Sequence, residues 1–399
     1  MTLLTLAVLV GLLQQPALPK LDRTIEVPMD FDGTAIFLKG KINDKPASFF
    51  FDTGFSGSVL ISDRLKVGPK EGTMILRDFV GTREADTVVV KSFSVGDLEL
   101  ATKEIEIPQI ELADLTAAYG RHCDAMLGFE PFYGHVMEFN FENSKLIFHP
   151  WDKVDITKRT PDGQRTFLVE MLPYGVDVPN IGVRFADETM DLVFDTGNSS
   201  YVVTYGEHLK EMGLYKEKKP DYIYKSMIAT GPTDSFDWWA HGFSIGGIHV
   251  DHAVFTVLQL PSSQVESGGT IGIGFIKQFN VTVDARRRAL WFERIGDAAF
   301  KPPPAETGIK AAFDDKIGRW VVWYVQPGSP AKKAGVETED TILRVDGVDV
   351  RNMTRGQFEE LLGGDAGSIA EIRVSRRGSV KSFKVERRHL VNGDAPEGL

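Results

Sequence analysis

Sulfhydryls are nearly absent. Cys123 is the only cysteine in 399 residues, so no disulfide forms within the chain and no cysteine-built zinc or iron–sulfur site exists. Basic residues are in deficit: 45 Lys+Arg stand against 56 Asp+Glu, a net charge of −11. A chain that repels polyanions is a poor nucleic-acid partner. Long apolar runs are missing too. The run from Leu3 to Leu13 falls short of the about 20 residues that span a bilayer. Its length suits the apolar part of an export signal, with Gln14-Gln15-Pro16-Ala17 as the cleavage region, although Met1-Thr2 carries no basic residue. The expectation is export to a periplasm, the cell envelope or beyond, with residues 1–19 removed or kept as an N-terminal anchor. His-Glu-x-x-His, Gly-x-Ser-x-Gly and the phosphate-binding P-loop are also absent.

What is present is globular: 42% hydrophobic and 25% charged residues, enough chain for two to four domains. The acidity sits in the first 300 residues; residues 301–399 are nearly balanced. A repeat organises the acidic part. Phe49-Phe50-Phe51-Asp52-Thr53-Gly54-Phe55-Ser56 recurs as Leu192-Val193-Phe194-Asp195-Thr196-Gly197-Asn198-Ser199. Downstream, Met126-Leu127-Gly128 is matched by Thr270-Ile271-Gly272, and Phe93-Ser94-Val95-Gly96 by Phe243-Ser244-Ile245-Gly246. Residues 20–150 and 151–300 therefore share one plan. Short β-branched or aromatic runs such as Val88-Val89-Val90 and Ala289-Leu290-Trp291-Phe292, bounded by turn residues, predict two mainly β lobes.

The repeated tripeptide carries chemistry. Each aspartate follows an apolar strand, each threonine can hydrogen-bond across to the other loop, and each glycine allows close backbone approach. Two facing loops would hold two carboxylates together. Like charges that close cannot both ionise, so the pair shares a proton. The ionised member can then take a proton from water while the protonated one polarises a carbonyl. That is amide hydrolysis without a covalent intermediate.

These residues resemble the pepsin- and retropepsin-like aspartic proteases, closest to bacterial retropepsin-like domains fused in tandem, over about residues 24–294. The resemblance implies a bilobal, pseudo-symmetric acid-protease fold with Asp52 and Asp195 as the catalytic pair. Thr53, Gly54, Ser56, Thr196, Gly197, Asn198 and Ser199 would form the supporting loops. It also implies flap hairpins near 72–85 and 225–237, with Gly81-Thr82 and Thr230-Gly231-Pro232 as tips. Two residues depart from the family's pattern. Phe55 and Asn198 stand where a small or hydroxyl residue usually follows the glycine.

Lys301-Pro302-Pro303-Pro304-Ala305-Glu306 reads as a stiff linker. Beyond it, Ser329-Pro330 opens a short helix that Gly335 ends. Asp340–Gly347 reads as a strand and tight turn, Thr354 with Gln357 as a capping box, and Ile369–Val374 with Val380–Val385 as closing strands. This unit resembles a bacterial PDZ domain over 307–387, followed by a tail, 388–399. The resemblance implies that Gly308, Ile309, Lys310, Ala311 and Phe358 bind an extended or C-terminal peptide as an added strand. Glu339 replaces the usual glycine before Asp340.

His122-Cys123-Asp124 reads as a partly buried thiol beside ordinary polar residues, because adjacent strand side chains diverge. Gly268–Gly274 precedes a strand, not the helix a dinucleotide loop requires. No metal or organic cofactor is implied. Two functions stay open: an aspartic endopeptidase acting on polypeptides, and a peptide-binding envelope protein without catalysis. The direction of the Phe55 ring separates them.

Overall fold

The structure, a computed structural model, describes residues 21–77, 82–101, 104–173, 178–185, 187–215, 219–228, 231–260, 267–296 and 303–396. The proposed export segment, both flap tips and the start of the proline linker fall outside the described residues, wholly or in part. Among the described residues the chain is mainly β, as expected, in four sheets.

Lobe 1 rests on a ten-stranded sheet and lobe 2 on a seven-stranded one. Their centres match strand for strand. In lobe 1, Lys45–Phe51 runs parallel to Ala125–Leu127, which pairs antiparallel with Val59–Ser62. In lobe 2, Glu188–Phe194 runs parallel to Gly269–Ile271, which pairs antiparallel with Val202–Tyr205. The apolar runs before each Asp-Thr-Gly are buried on both faces, which is why they read as continuous rather than alternating. The hairpins expected to be flaps are formed by Lys70–Arg77 with Thr82–Val90, and by Tyr224–Ile228 with Gly231–Ile245.

A six-stranded sheet joins the halves. Its central pair, His135–Asn140 and Phe279–Asp284, comes from different halves, with Phe139 opposite Val281. Phe139 stacks on Phe51 at 5.8 Å and touches Phe194 at 5.9 Å. The residue before each aspartate is thus anchored on one shared aromatic. A boundary at residue 150 divides the repeat but not this sheet.

The C-terminal unit has its own core, including Trp320, Val322, Ile342, Ile372 and Val385. Ser329 caps Pro330–Ala334, accepting the Lys332 N–H, and the Thr354–Gln357 capping box opens the Arg355–Leu362 helix. Glu339 adopts a left-handed φ of 69°, the conformation glycine would hold more cheaply. Residues 388–396 do not form a free tail. Asn392 bonds Tyr222 and Asp237 through its side chain, and its backbone exchanges bonds with Asp237 and Trp239 of lobe 2.

Candidate active site

The two Asp-Thr-Gly loops meet at the lobe junction. Asp52 N–H donates to Leu127 O and Asp195 N–H to Ile271 O, both at 2.9 Å, so each aspartate is set by its parallel partner strand. The threonines lock the loops reciprocally. Thr53 N–H donates to Thr196 Oγ1 (3.1 Å) and Thr196 N–H to Thr53 Oγ1 (3.0 Å). The hydroxyls donate onward, Thr53 to Phe194 O (2.7 Å) and Thr196 to Phe51 O (2.9 Å). All these groups are buried, where each bond left unmade would cost about 1–3 kcal/mol.

The carboxyls face each other in hydrogen-bond contact, and both are almost fully buried. Gly54 N–H donates to Asp52 Oδ1 (2.9 Å); Gly197 and Asn198 N–H donate to Asp195 Oδ1 (2.8 and 3.1 Å). A Cβ on Gly197 would overlap the Asp52 carboxyl. Burial first, and the neighbouring Asp195 second, hold Asp52 well above the ordinary carboxylate range. This is the proton-sharing arrangement that two close carboxyls require.

Phe55 does not enter the dyad. Its ring packs over Gly57 and Gly128 in a cluster with Phe37, Phe50, Leu60 and Met126, and only 1% of the residue is exposed. Asn198 holds the matching place over Gly272, where its amide donates to Thr270 Oγ1 (2.8 Å) and its carbonyl accepts the Ser200 N–H (2.8 Å). Neither side chain serves an aspartate; their backbone N–H groups do. Ser56 is buried, and Ser199 is half-buried at the rim of a neighbouring cavity.

Sequence reasoning missed Tyr119. It ends the Ala113–Tyr119 helix, is fully buried, and donates its hydroxyl to Gly197 O at 2.9 Å. A single tyrosine closing an apolar helix carries no pattern that marks such a role. Cys123 is buried, donates to Ala125 O and is pushed up to about 12 by that burial, an inert thiol. His122 pairs with Asp124 at 2.8 Å. Trp238 and Trp239 pack against the C-terminal segment at Gly393 and His389.

The side of the PDZ unit where the resemblance expects a peptide, between Ile309–Asp314 and the Arg355–Leu362 helix, is turned toward the Ala113–Tyr119 helix of lobe 1. Ile309–Asp314 is an edge strand; Ile309, Ala311 and Phe358 belong to the domain's own core and line the cavity toward the lobes, and Gly308 is buried against Ser329 and Leu390. Lys310 Nζ pairs with Glu306 (3.1 Å) and lies 4.3 Å over the Tyr224 ring of lobe 2. Ala305 and Gly364 exchange backbone bonds across the groove's end. A cavity of about 710 Å³ separates groove and lobes, with Lys310, Phe358 and Leu362 on one wall and Thr34, Ser200 and Tyr201 on the other. Among the described residues no group of three or more His, Cys, Asp or Glu could hold a metal ion.

A family model described as aspartyl protease matches residues 38–128, and one described as PDZ domain matches 321–376. The chain thus carries an aspartyl protease domain followed by a C-terminal PDZ domain. It is 38% identical over 82 residues to a carboxyl-terminal-processing protease of Picosynechococcus sp., covering 20% of each protein. It is 32% identical over 71 residues to the carboxy-terminal processing protease CtpA of Bacillus subtilis, covering 18% of this chain and 15% of the relative. The chain therefore spans a fifth or less of the curated relatives it matches, a stretch the size of one domain. A solved photosystem II D1 C-terminal processing protease aligns over 22% of this chain and 24% of its own, at 29% identity and a TM-score of 0.21.

Proposed function

We propose that this chain, an aspartyl protease domain joined to a PDZ domain, is an aspartic-type endopeptidase acting on polypeptides. The observation that carries the reading is the buried Asp52–Asp195 contact, clasped by reciprocal threonine bonds, in which burial and the facing carboxyl raise Asp52 above the ordinary carboxylate range. In this reading a water bound between the carboxyls loses a proton to Asp195 and attacks the peptide carbonyl, which Asp52 polarises. The tetrahedral intermediate then collapses as the amine leaves with a proton from the pair. Extended substrate would lie under the two hairpins. The PDZ groove would present polypeptide to the same region, raising its local concentration. The relatives named for carboxyl-terminal processing support a polypeptide as the ligand class. Export to a periplasm or cell envelope remains part of this proposal and rests on the Leu3–Leu13 run.

The second reading, a peptide-binding protein without catalysis, was motivated by Phe55. That ring lies in the lobe 1 core, which favours the enzyme. The test is cleavage of casein from pH 3 to 8 by the purified chain beside Asp52→Asn and Asp195→Asn. Cleavage by the parent and by neither variant is expected. An inactive parent at every pH would return the chain to the binding reading.

A further inference from the structure

The Arg355–Leu362 helix has two jobs. Phe358 and Leu362 line the PDZ groove, while its first turn rests on lobe 1. Asp32 accepts the Gly356 N–H (3.2 Å), and a Cβ on Gly356 would overlap the Asp32 backbone. Gly120 also lies close against Met353 and Trp320, where a Cβ would meet them at 2.7 and 2.8 Å. Between these contacts the Arg355 guanidinium sits 5.7 Å over the Tyr119 ring, held by Glu359 at 2.7 Å.

Tyr119 continues the path. Its hydroxyl donates to Gly197 O. That carbonyl belongs to the same peptide group as the Asn198 N–H, which donates to Asp195 Oδ1. A hydrogen bond to a peptide carbonyl polarises the peptide and strengthens the bond its N–H donates. A cation over a phenol ring makes the hydroxyl a better donor by the same electrostatics.

We propose that Tyr119 and Arg355 are positioning residues that carry a relay from the PDZ groove helix to Asp195, through the Gly197–Asn198 peptide, and favour its ionised state. The proposal rests on the reading of Asp52 and Asp195 as a proton-sharing pair. It makes the PDZ domain part of the active-site apparatus as well as a recruiter. Asp52, Tyr119 and Tyr205 face Asp195; Arg355, Asp32 and both dyad carboxyls face Tyr119; Glu359 and Asp32 face Arg355. Among these groups Arg355 is the cation beside the tyrosine.

The test is a carbon NMR titration of the full chain labelled at the aspartate carboxyl carbons, with the dyad signals assigned from Asp52→Asn and Asp195→Asn. Removing the hydroxyl in Tyr119→Phe should raise the lower macroscopic pKa of the pair by roughly 0.5–1 unit. Arg355→Met should shift it in the same direction by less, and Arg355→Lys should restore most of the parent value. An unchanged titration in a Tyr119→Phe chain that melts like the parent overturns the relay. A shift in Tyr119→Phe alone overturns its PDZ end. If Tyr119→Phe does not fold, Arg355→Met decides, because it leaves the Tyr119 hydroxyl to donate to Gly197 O. The titration needs no turnover, so it gives its answer even if the chain cleaves nothing. Where casein or a short peptide is cleaved, the acid limb of kcat/KM should move with the titration while KM stays within about twofold.

Discussion

Thr53 and Thr196 grip each other's loops: each hydroxyl accepts the other's backbone N–H and donates to the carbonyl just before the other's aspartate. Two segments far apart in sequence are thereby fixed as one unit, and the distance between the carboxyls depends on four short bonds.

Thr53→Val should cost about 2–4 kcal/mol, because it strands the Phe194 carbonyl and the Thr196 N–H in a buried place. Thr196→Val should cost about the same. The double variant should cost clearly less than the two together, since the second change removes partners already stranded. Urea unfolding of the four proteins measures this, and additive losses would contradict the reciprocal clasp.

Asp52→Asn should lower turnover by about 10²–10⁴-fold while stabilising the fold at alkaline pH. Burial, and Asp195 beside it, raise the Asp52 carboxyl well above the ordinary carboxylate value of 3.8 in the folded chain. Its contribution is therefore fully present below that value and lost as pH rises through the raised one. Thermal melts from pH 4 to 9 should show the parent's stability falling toward alkali more steeply than the variant's.

Phe55→Ala should destabilise lobe 1 by about 3–5 kcal/mol, the cost of a cavity at a fully buried aromatic. Per folded molecule, the pH profile of cleavage should stay that of the parent, since the ring touches Gly57 and Gly128 rather than the carboxyls. A profile that moves would place Phe55 in the chemistry after all.

His135 should set an acid limit on stability. Both its ring nitrogens are buried without a hydrogen-bond partner among the described residues, and burial, helped by Arg286, pushes its pKa down to about 4. The neutral form's contribution is complete above the ordinary 6.5 and disappears as pH falls through about 4. His135→Leu should flatten the decline in melting temperature between pH 6.5 and 4; an equally steep decline would clear His135.

Much of the site was legible because chemistry restricts it. Asp52, Asp195, their threonines and Gly197 stand as a repeated tripeptide, since few other residues can clasp and approach in that way. Gly128 and Gly272 were legible for the same reason. The helix caps at Ser329 and Thr354 were visible from local hydrogen-bonding habit. The direction of Phe55 was not, because a phenylalanine beside an aspartate can turn either to the cleft or to the core, and only Gly57 and Gly128 decide it. Tyr119, Asp32 and Asn392 were illegible because each acts through one contact with a distant segment, leaving no periodicity. The interlocking of Phe139 with Val281 across the halves had no local sign either.

Asn392 has a consequence for motion. The chain leaves lobe 2, builds the PDZ domain, and returns to lobe 2, where Asn392 is stitched between Tyr222, Asp237 and Trp239. The PDZ domain is therefore fastened where the chain returns to lobe 2 as well as along its helix on lobe 1, rather than hung from a linker alone. With Gly356 against Asp32 and Arg355 over Tyr119 on the lobe 1 side, the Asn392 stitch on the lobe 2 side makes the domain a brace across the two lobes, so that losing the asparagine frees one side of it and not the other.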